Sequence, residues 1–327
     1  MEAHQLRPLP AAEPGAVEAA GETARRVIDN VRRVIHAPEE LLERCVLAVL
    51  CEGHVILEDF PGVGKTMLAK SLARSIEGEF ARIQGTPDLL PSDITGVNVF
   101  NLQRNEFEFK PGPVFANLVL VDEINRASPK TQSALLECMQ ETQVTVDGAT
   151  HPLARPFMVI ATQNPIEYEG TFPLPEAQLD RFTMRLTLGY PSLQEEAKML
   201  SEHAVLEPIE SLQPVATVGE VETAIEAIKK VYVEEALNRY VVSILRHTRA
   251  DGRLALGASP RSGIALLRVA KAHAAVHGRN YVVPADVKDV ATDVLTHRVI
   301  LAPEARTAGV APTDVVREAV DRTPVPV

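Results

Sequence analysis

The stretch that decides the fold is His54-Val55-Ile56-Leu57-Glu58-Asp59-Phe60-Pro61-Gly62-Val63-Gly64-Lys65-Thr66. A short apolar run enters a Gly-rich loop, and the loop enters a helix. Gly62 and Gly64 let backbone N–H groups turn inward, and the helix that opens at Lys65-Thr66 adds its positive end. In a phosphate loop Lys65 reaches the β and γ phosphates and Thr66 ligates Mg²⁺. Pro61, Gly62, Val63, Gly64, Lys65, Thr66 and Met67 are the expected nucleotide-binding residues. The strict pattern asks for Gly five residues before Gly64, where this chain has Asp59. The competing reading is a plain Gly-rich turn before a helix.

Downstream of this loop, apolar strands and helices alternate. The helix spans Thr66 to Ile76, with Leu68, Leu72 and Ile76 four apart. Phe80–Gln84, Leu118–Val121, Phe157–Ala161 and Arg185–Leu188 read as strands. Ser128-Pro129 opens a helix to Glu141, Ser as N-cap and Pro in the first turn. Such alternation implies a parallel sheet covered on both faces. Two hairpins interrupt it, Val97–Phe100 with Phe107–Phe109, and Val144–Val146 with His151–Leu153 around Asp147-Gly148. Upstream, helices are expected over Glu22–Ile35 and from Pro38 or Glu39 to Leu50, and residues 1–21 as a disordered tail. From Pro191 the pattern is helices only, with a capping box at Ser192–Glu195 and helices near 218–230, 234–249, 260–277 and 284–297. The expected domains are therefore 22–190, an αβα nucleotide-binding domain, and 191–310, a helical lid. Residues 311–327 form a tail with at most one short helix.

Three further groups carry chemistry. Leu118-Val119-Leu120-Val121-Asp122-Glu123 delivers two carboxylates at the end of a buried strand, where α/β sheets place ligands. Asp122 then holds Mg²⁺ through water and Glu123 polarises the attacking water. Alone, such a pair is as readily a solvated turn. Val159–Asn164 ends in amides, and Asn164 can hydrogen-bond the water or the γ-phosphate. The plainer alternative is a turn-forming Asn before Pro165. Arg181, in Asp180-Arg181-Phe182, and Arg261, in Ser259-Pro260-Arg261, offer guanidinium groups for developing phosphoryl charge, or else surface ion pairs.

Composition bounds the alternatives. The 327 residues carry a net charge of −11, with 46% hydrophobic and 24% charged side chains. An acidic balance argues against broad nucleic-acid backbone binding. Cys45, Cys51 and Cys138 have no metal-ligand spacing and read as small buried hydrophobes. His151, His203, His247, His273, His277 and His297 are scattered, and no metal role is expected of them. No run of about 18 apolar residues is present, so no transmembrane helix or signal region is expected, and the default location is the cytoplasm.

Four longer words narrow the reading: Gly85–Asp93 (GTPDLLPSD), Asp122–Ala127 (DEINRA), Ala161–Pro165 (ATQNP) and Leu174–Phe182 (LPEAQLDRF). With them, residues 25–305 resemble the MoxR family of AAA+ ATPases. The resemblance implies a Rossmann-like αβα domain followed by a helical lid, with ATP and Mg²⁺ bound between them and between subunits of a ring, expected to be a hexamer. It makes Lys65 and Thr66 the Walker A residues, Asp122 and Glu123 Walker B, Asn164 sensor 1, Arg181 the arginine finger and Arg261 sensor 2. The hairpins match the helix-2 insert and the pre-sensor-1 hairpin, and Asp59 is compatible with the family's loop. It also implies a chaperone-like remodeller working with a von Willebrand factor A-domain protein and its client complex. A DNA-handling AAA+ motor and a non-catalytic nucleotide-dependent scaffold are the alternatives.

Overall fold

The computed structural model describes residues 14–58, 63–163, 171–189 and 208–326. Pro61, Gly62, Asn164 and the capping box at Ser192–Glu195 lie outside the described residues. The central sheet has five parallel strands in the order β2-β5-β8-β1-β9. These are β1 (Val55–Glu58), β2 (Phe80–Gln84), β5 (Leu118–Asp122), β8 (Met158–Gln163) and β9 (Met184–Leu186). Both faces of the sheet are apolar, as a parallel sheet requires. Val55, Leu57, Leu118, Leu120, Met158 and Ile160 enter one core, while Ile56, Val119, Val121, Val159 and Ala161 enter the other.

The helices divide between those faces. α1 (Pro14–Arg32), α2 (Glu39–Leu50) and α3 (Lys65–Ser75) pack on the first, and α5 (Pro129–Glu141), after the one-turn α4 (Pro91–Thr95), on the second. Ser128 caps α5 by accepting from the Thr131 N–H at 3.3 Å. The hairpins are β3 (Gly96–Asn101) with β4 (Glu106–Pro111), and β6 (Gln143–Val146) with β7 (Ala149–Pro152). They lean on each other: Phe109 stacks on His151 at 4.0 Å, and Asn98 donates to Asp147 at 2.8 Å. After α6 (Glu176–Leu179) come α7 (Val218–Lys229), α8 (Glu235–Ala250), α9 (Pro260–Val276), α10 (Pro284–Leu295), α11 (Pro303–Thr307) and α12 (Pro312–Arg322).

Three elements differ from expectation. First, α1 begins at Pro14, so residues 14–21 are helix rather than tail. Val17 and Ala20 are buried, and Gly21 lies so close to α9 that a Cβ would come within 2.4 Å of the Ala275 carbonyl oxygen. Arg25 donates to the Val276 carbonyl at 2.7 Å, and Arg26 pairs with Glu220 at 2.9 Å. Second, the C-terminal part is not helices only. β10 (Leu254–Leu256) and β11 (Ile300–Leu301) form a small antiparallel pair. Third, α12 buries Val315, Val316 and Val320, so residues 312–322 are part of the packed body. All three cysteines are buried, and burial pushes their thiols up to about 12, 12 and 11 for Cys45, Cys51 and Cys138.

Two buried histidines set a pH limit. The His54 Nε2–H donates to the Met139 carbonyl at 2.9 Å, while Nδ1 accepts from the Val159 N–H at 3.0 Å. Burial pushes His54 down to about 4 and His297 down to about 3. Both are neutral in the folded chain and near 6.5 when unfolded, so the unfolded state alone takes up protons as pH falls below 6.5. Stability is then lost progressively between pH 6.5 and about 4, by ~3 kcal/mol per histidine. Urea titrations from pH 8 to 4.5 are expected to show this decline, reduced in His54→Gln after correction for its own lower plateau.

Candidate functional site

The C-terminal ends of β1, β8 and β5 lie side by side, and β2 flanks β5. A cavity of about 450 Å³ opens at this edge of the sheet. Gly64, Lys65, Thr66 and Met67 line it from the start of α3, and Asp122 and Glu123 line it from the end of β5. Gly64 has φ 88°, a left-handed conformation natural to glycine, and it turns the chain into α3. The sequence-predicted residues on the two sides of the site, nearly 60 positions apart, are therefore brought together. Asn164 lies outside the described residues.

The acidic pair is held by four residues to which the sequence assigned no role. Asp122 Oδ2 accepts from Arg82 Nη2 at 2.7 Å and Nε at 3.1 Å, and Oδ1 accepts from the Thr162 hydroxyl at 2.9 Å. The Thr162 oxygen also accepts the Glu123 N–H at 2.9 Å. Glu123 Oε2 accepts from Gln84 at 3.0 Å and Arg126 at 3.2 Å. Arg82 and Gln84 sit two apart on β2, on the same side of that strand. The parallel register pairs Gln84 with Asp122, which explains their reach. For Arg82 and Gln84 the signal in the sequence was the polar alternation Arg82-Ile83-Gln84, while Thr162 and Arg126 stood inside the words ATQNP and DEINRA.

Glu123 itself is backbone-strained, with φ 54° and ψ 50°. A left-handed non-glycine residue at the end of a buried strand costs of order 1–3 kcal/mol and persists only where its surroundings impose it. Gly85 is part of those surroundings. Its N–H donates to the Asp122 carbonyl at 2.7 Å, and a Cβ there would lie 2.1 Å from the Glu123 carbonyl oxygen. Gly85→Ala is therefore expected to displace the Asp122–Glu123 backbone, at a cost of about 1–3 kcal/mol. Its urea midpoint should fall. An unchanged midpoint would count against this close packing.

Arg181 and Arg261 do not line the first cavity. Together with Arg268, Arg298 and Asp180 they line a second one, of about 240 Å³. Asp180 is 3.2 Å from Arg298 Nε and 3.7 Å from Arg261 Nε. Arg298 is buried, which pushes it down to about 10 against the pull of Asp180, and it donates to the Phe182 carbonyl at 2.7 Å. Arg261 is about half exposed, its guanidinium open to solvent on one side. Four guanidinium groups against two carboxylates, Asp180 and Glu52, leave this face net positive on a chain of net charge −11.

A parallel sheet whose first strand leads to a helix opened by Gly64-Lys65-Thr66, beside paired carboxylates on a neighbouring strand end, defines a phosphate-loop nucleotide-binding protein. Residues 54–184 match the family described as "ATPase family associated with various cellular activities (AAA)", and residues 246–319 match the AAA lid domain. The chain is 49% identical to the uncharacterized protein YeaC of Bacillus subtilis over 302 residues, covering 92% of this chain and 94% of that protein. It is 41% identical to Chaperone MoxR1 of Mycobacterium tuberculosis over 335 residues, covering 99% and 88%. A crystal structure from Cytophaga hutchinsonii superposes with a TM-score of 0.89 at 38% identity, over 96% of this chain and 98% of that one. The chain belongs to the MoxR family of AAA+ ATPases. Among the described residues no helix is long and apolar enough to cross a membrane.

Proposed function

We propose that this chain hydrolyses ATP in a ring of its own copies, a hexamer, and uses the cycle to remodel a protein partner. The observation that carries the reading is the separation of the two halves of an ATPase site on one chain. Lys65, Thr66, Asp122 and Glu123 share one cavity, and Arg181 and Arg261 share another. A second subunit's arginines would complete the first cavity.

The described geometry supports the roles proposed for Gly64, Lys65, Thr66, Asp122 and Glu123, and the family resemblance supports those of Pro61, Gly62, Val63 and Asn164. Gly64 and the opening turn of α3, with Pro61, Gly62 and Val63 ahead of it, cradle the phosphates, and Lys65 neutralises the β and γ oxygens. Thr66 and Asp122 present hard oxygen donors, which suit Mg²⁺ better than softer metals. Mg²⁺ bound there supplies charge neutralisation on the phosphate oxygens. Glu123 orients and polarises the attacking water, with Gln84 and Arg126 fixing its carboxylate. Asn164 holds the same water or the γ-phosphate. Residues 14–190 would then be the nucleotide-binding part, and 191–322 the lid that delivers Arg261 to the neighbouring subunit.

The remodelling role is supported by the name of the mycobacterial relative and by the hairpin β3–β4. That hairpin exposes Leu102 and Phe107, at 86% and 71%, as apolar contacts for a protein client. A von Willebrand factor A-domain protein delivering the client, in the cytoplasm, is the partner that the family resemblance suggests. Purified chain with ATP and Mg²⁺ tests the core of the reading. Phosphate release per chain should rise steeply with protein concentration and track a ring-sized species by mass photometry. Release that is independent of concentration, from a monomer, would overturn it.

A further inference from the structure

The helices over the first face of the sheet bring together side chains that the nucleotide site leaves unused. Glu43 on α2 and His273 and His277 on α9 each offer one ligand atom, and these atoms lie within 4.8 Å of one another. The two histidines are four apart, so they share one face of α9. The histidines that looked scattered along the chain are thus paired here by helix geometry, with the carboxylate arriving from a helix more than 200 residues earlier.

Both imidazoles are oriented through Nδ1. His273 Nδ1 lies 2.7 Å from Asp286 Oδ1. Asp286 is fully buried and accepts from Arg279 twice at 2.6 Å and from the Val283 N–H at 2.8 Å, which marks it as a carboxylate that accepts from His273. His277 Nδ1 lies 2.9 Å from the His273 carbonyl oxygen, which can only accept. Each Nδ1 therefore carries a proton, and in the neutral imidazole each Nε2 is left with the lone pair. A carboxylate or carbonyl on the far nitrogen is the arrangement that fixes the tautomer of metal-ligating histidines.

The lone pair of His273 Nε2 then faces other acceptors. Glu43 Oε1, which also accepts from Arg44 Nη1 at 3.2 Å, is 3.4 Å away, and Asp289 Oδ2 is 3.9 Å away. Acceptors facing acceptors need a cation between them. A proton on His273 would satisfy that one nitrogen but gives no reason for a second imidazole alongside, with ring centroids 4.3 Å apart. A metal accounts for both. Zinc–nitrogen and zinc–oxygen bonds of about 2.0–2.1 Å at tetrahedral angles set donor atoms about 3.3–3.4 Å apart, the separation of His273 and Glu43. His277 is exposed, and its ligand atom lies within 4.8 Å of the other two.

We propose that Glu43, His273 and His277 form a binding site for a divalent transition metal, Zn²⁺ by donor type, with Asp286 as the positioning carboxylate. The ion would pin α2, which leads into β1, to the C-terminal helices. Binding only to the folded chain, it would raise the melting temperature.

Untagged full-length chain, stripped with EDTA and dialysed, is titrated with ZnCl₂ by calorimetry without nucleotide or Mg²⁺. One saturable Zn²⁺ per chain is expected, with a higher melting temperature. His277→Ala, altered at an exposed position, should fold normally and bind Zn²⁺ more than about tenfold more weakly. Glu43→Gln serves as the second variant and should weaken binding likewise. Asp122→Asn, in the phosphate cavity, should bind as the wild type does. Co²⁺ should give a visible ligand-field band in the wild type that His277→Ala lacks. No saturable binding at micromolar Zn²⁺ overturns the proposal, leaving a proton on His273 as the cation. So does undiminished binding by both His277→Ala and Glu43→Gln, or a loss of binding in Asp122→Asn alone.

Discussion

Replacing Glu123 by Gln is expected to leave ATP binding near the wild-type level and to cut phosphate release by about 10²–10⁴-fold, the span of a lost general base. Glutamine keeps the length and shape of the side chain and can still meet Arg126 and Gln84 through its amide oxygen. The strained backbone at φ 54° is set by Gly85 and Thr162 rather than by the carboxylate, so it should persist. Lys65 and Thr66 are untouched, and they carry the phosphate contacts. Titration with a fluorescent ATP analogue and a coupled phosphate assay separate the two quantities. A variant that turns over at the wild-type rate would remove Glu123 from its assigned role. A variant that no longer binds would mean that the carboxylate supports the cavity rather than the chemistry. The same protein, arrested with ATP bound, is the reagent for capturing the client and any von Willebrand factor A-domain partner.

Arg181→Ala is expected to lower turnover by about 10³–10⁵-fold, the range for an arginine finger, while binding to the monomer stays intact. The stronger form of this experiment mixes subunits. Alone, neither Arg181→Ala nor Glu123→Gln should hydrolyse ATP. Mixed one to one, about a quarter of the interfaces in a ring pair an intact Glu123 with an intact neighbouring Arg181. Activity should then return. If Arg181 served its own cavity, no mixture would recover. The location of Arg181 and Arg261 in a second cavity, beside Asp180 and away from Lys65, is what makes this outcome expected.

Much of this was legible in the chain, for reasons that differ by residue. Lys65-Thr66 and Asp122-Glu123 stand out because each is local: an apolar run, then a turn, then the residues. Ser128-Pro129 was readable for the same reason, since a cap and a first-turn proline declare themselves within four positions. Arg82, Gln84 and Thr162 were not, because they reach the acidic pair through strand register, and register is a property of the assembled sheet. The start of α1 was missed for a related reason. Val17, Ala20, Ala24, Val27, Ile28 and Val31 do follow helical spacing, but Pro14, Gly15 and Gly21 suggest a tail. Only the fold shows that Gly21 is there to let α9 approach. The Glu43–His273–His277 group was invisible in part for that same reason, since its carboxylate arrives from another helix.

The position of α1 bears on how the chain is made. The helix is made well before much of what it touches: Arg25 bonds to Val276, 251 residues on, and Arg26 to Glu220, 194 residues on. Loop closure over such spans is slow, and synthesis at about 5–20 residues per second leaves the helix waiting for tens of seconds. Through that interval α1 has α2 and α3 to pack on but not α7 and α9. The growing chain therefore keeps part of the apolar stripe on α1 uncovered until its C-terminal third is finished, which makes it a natural customer for a holdase.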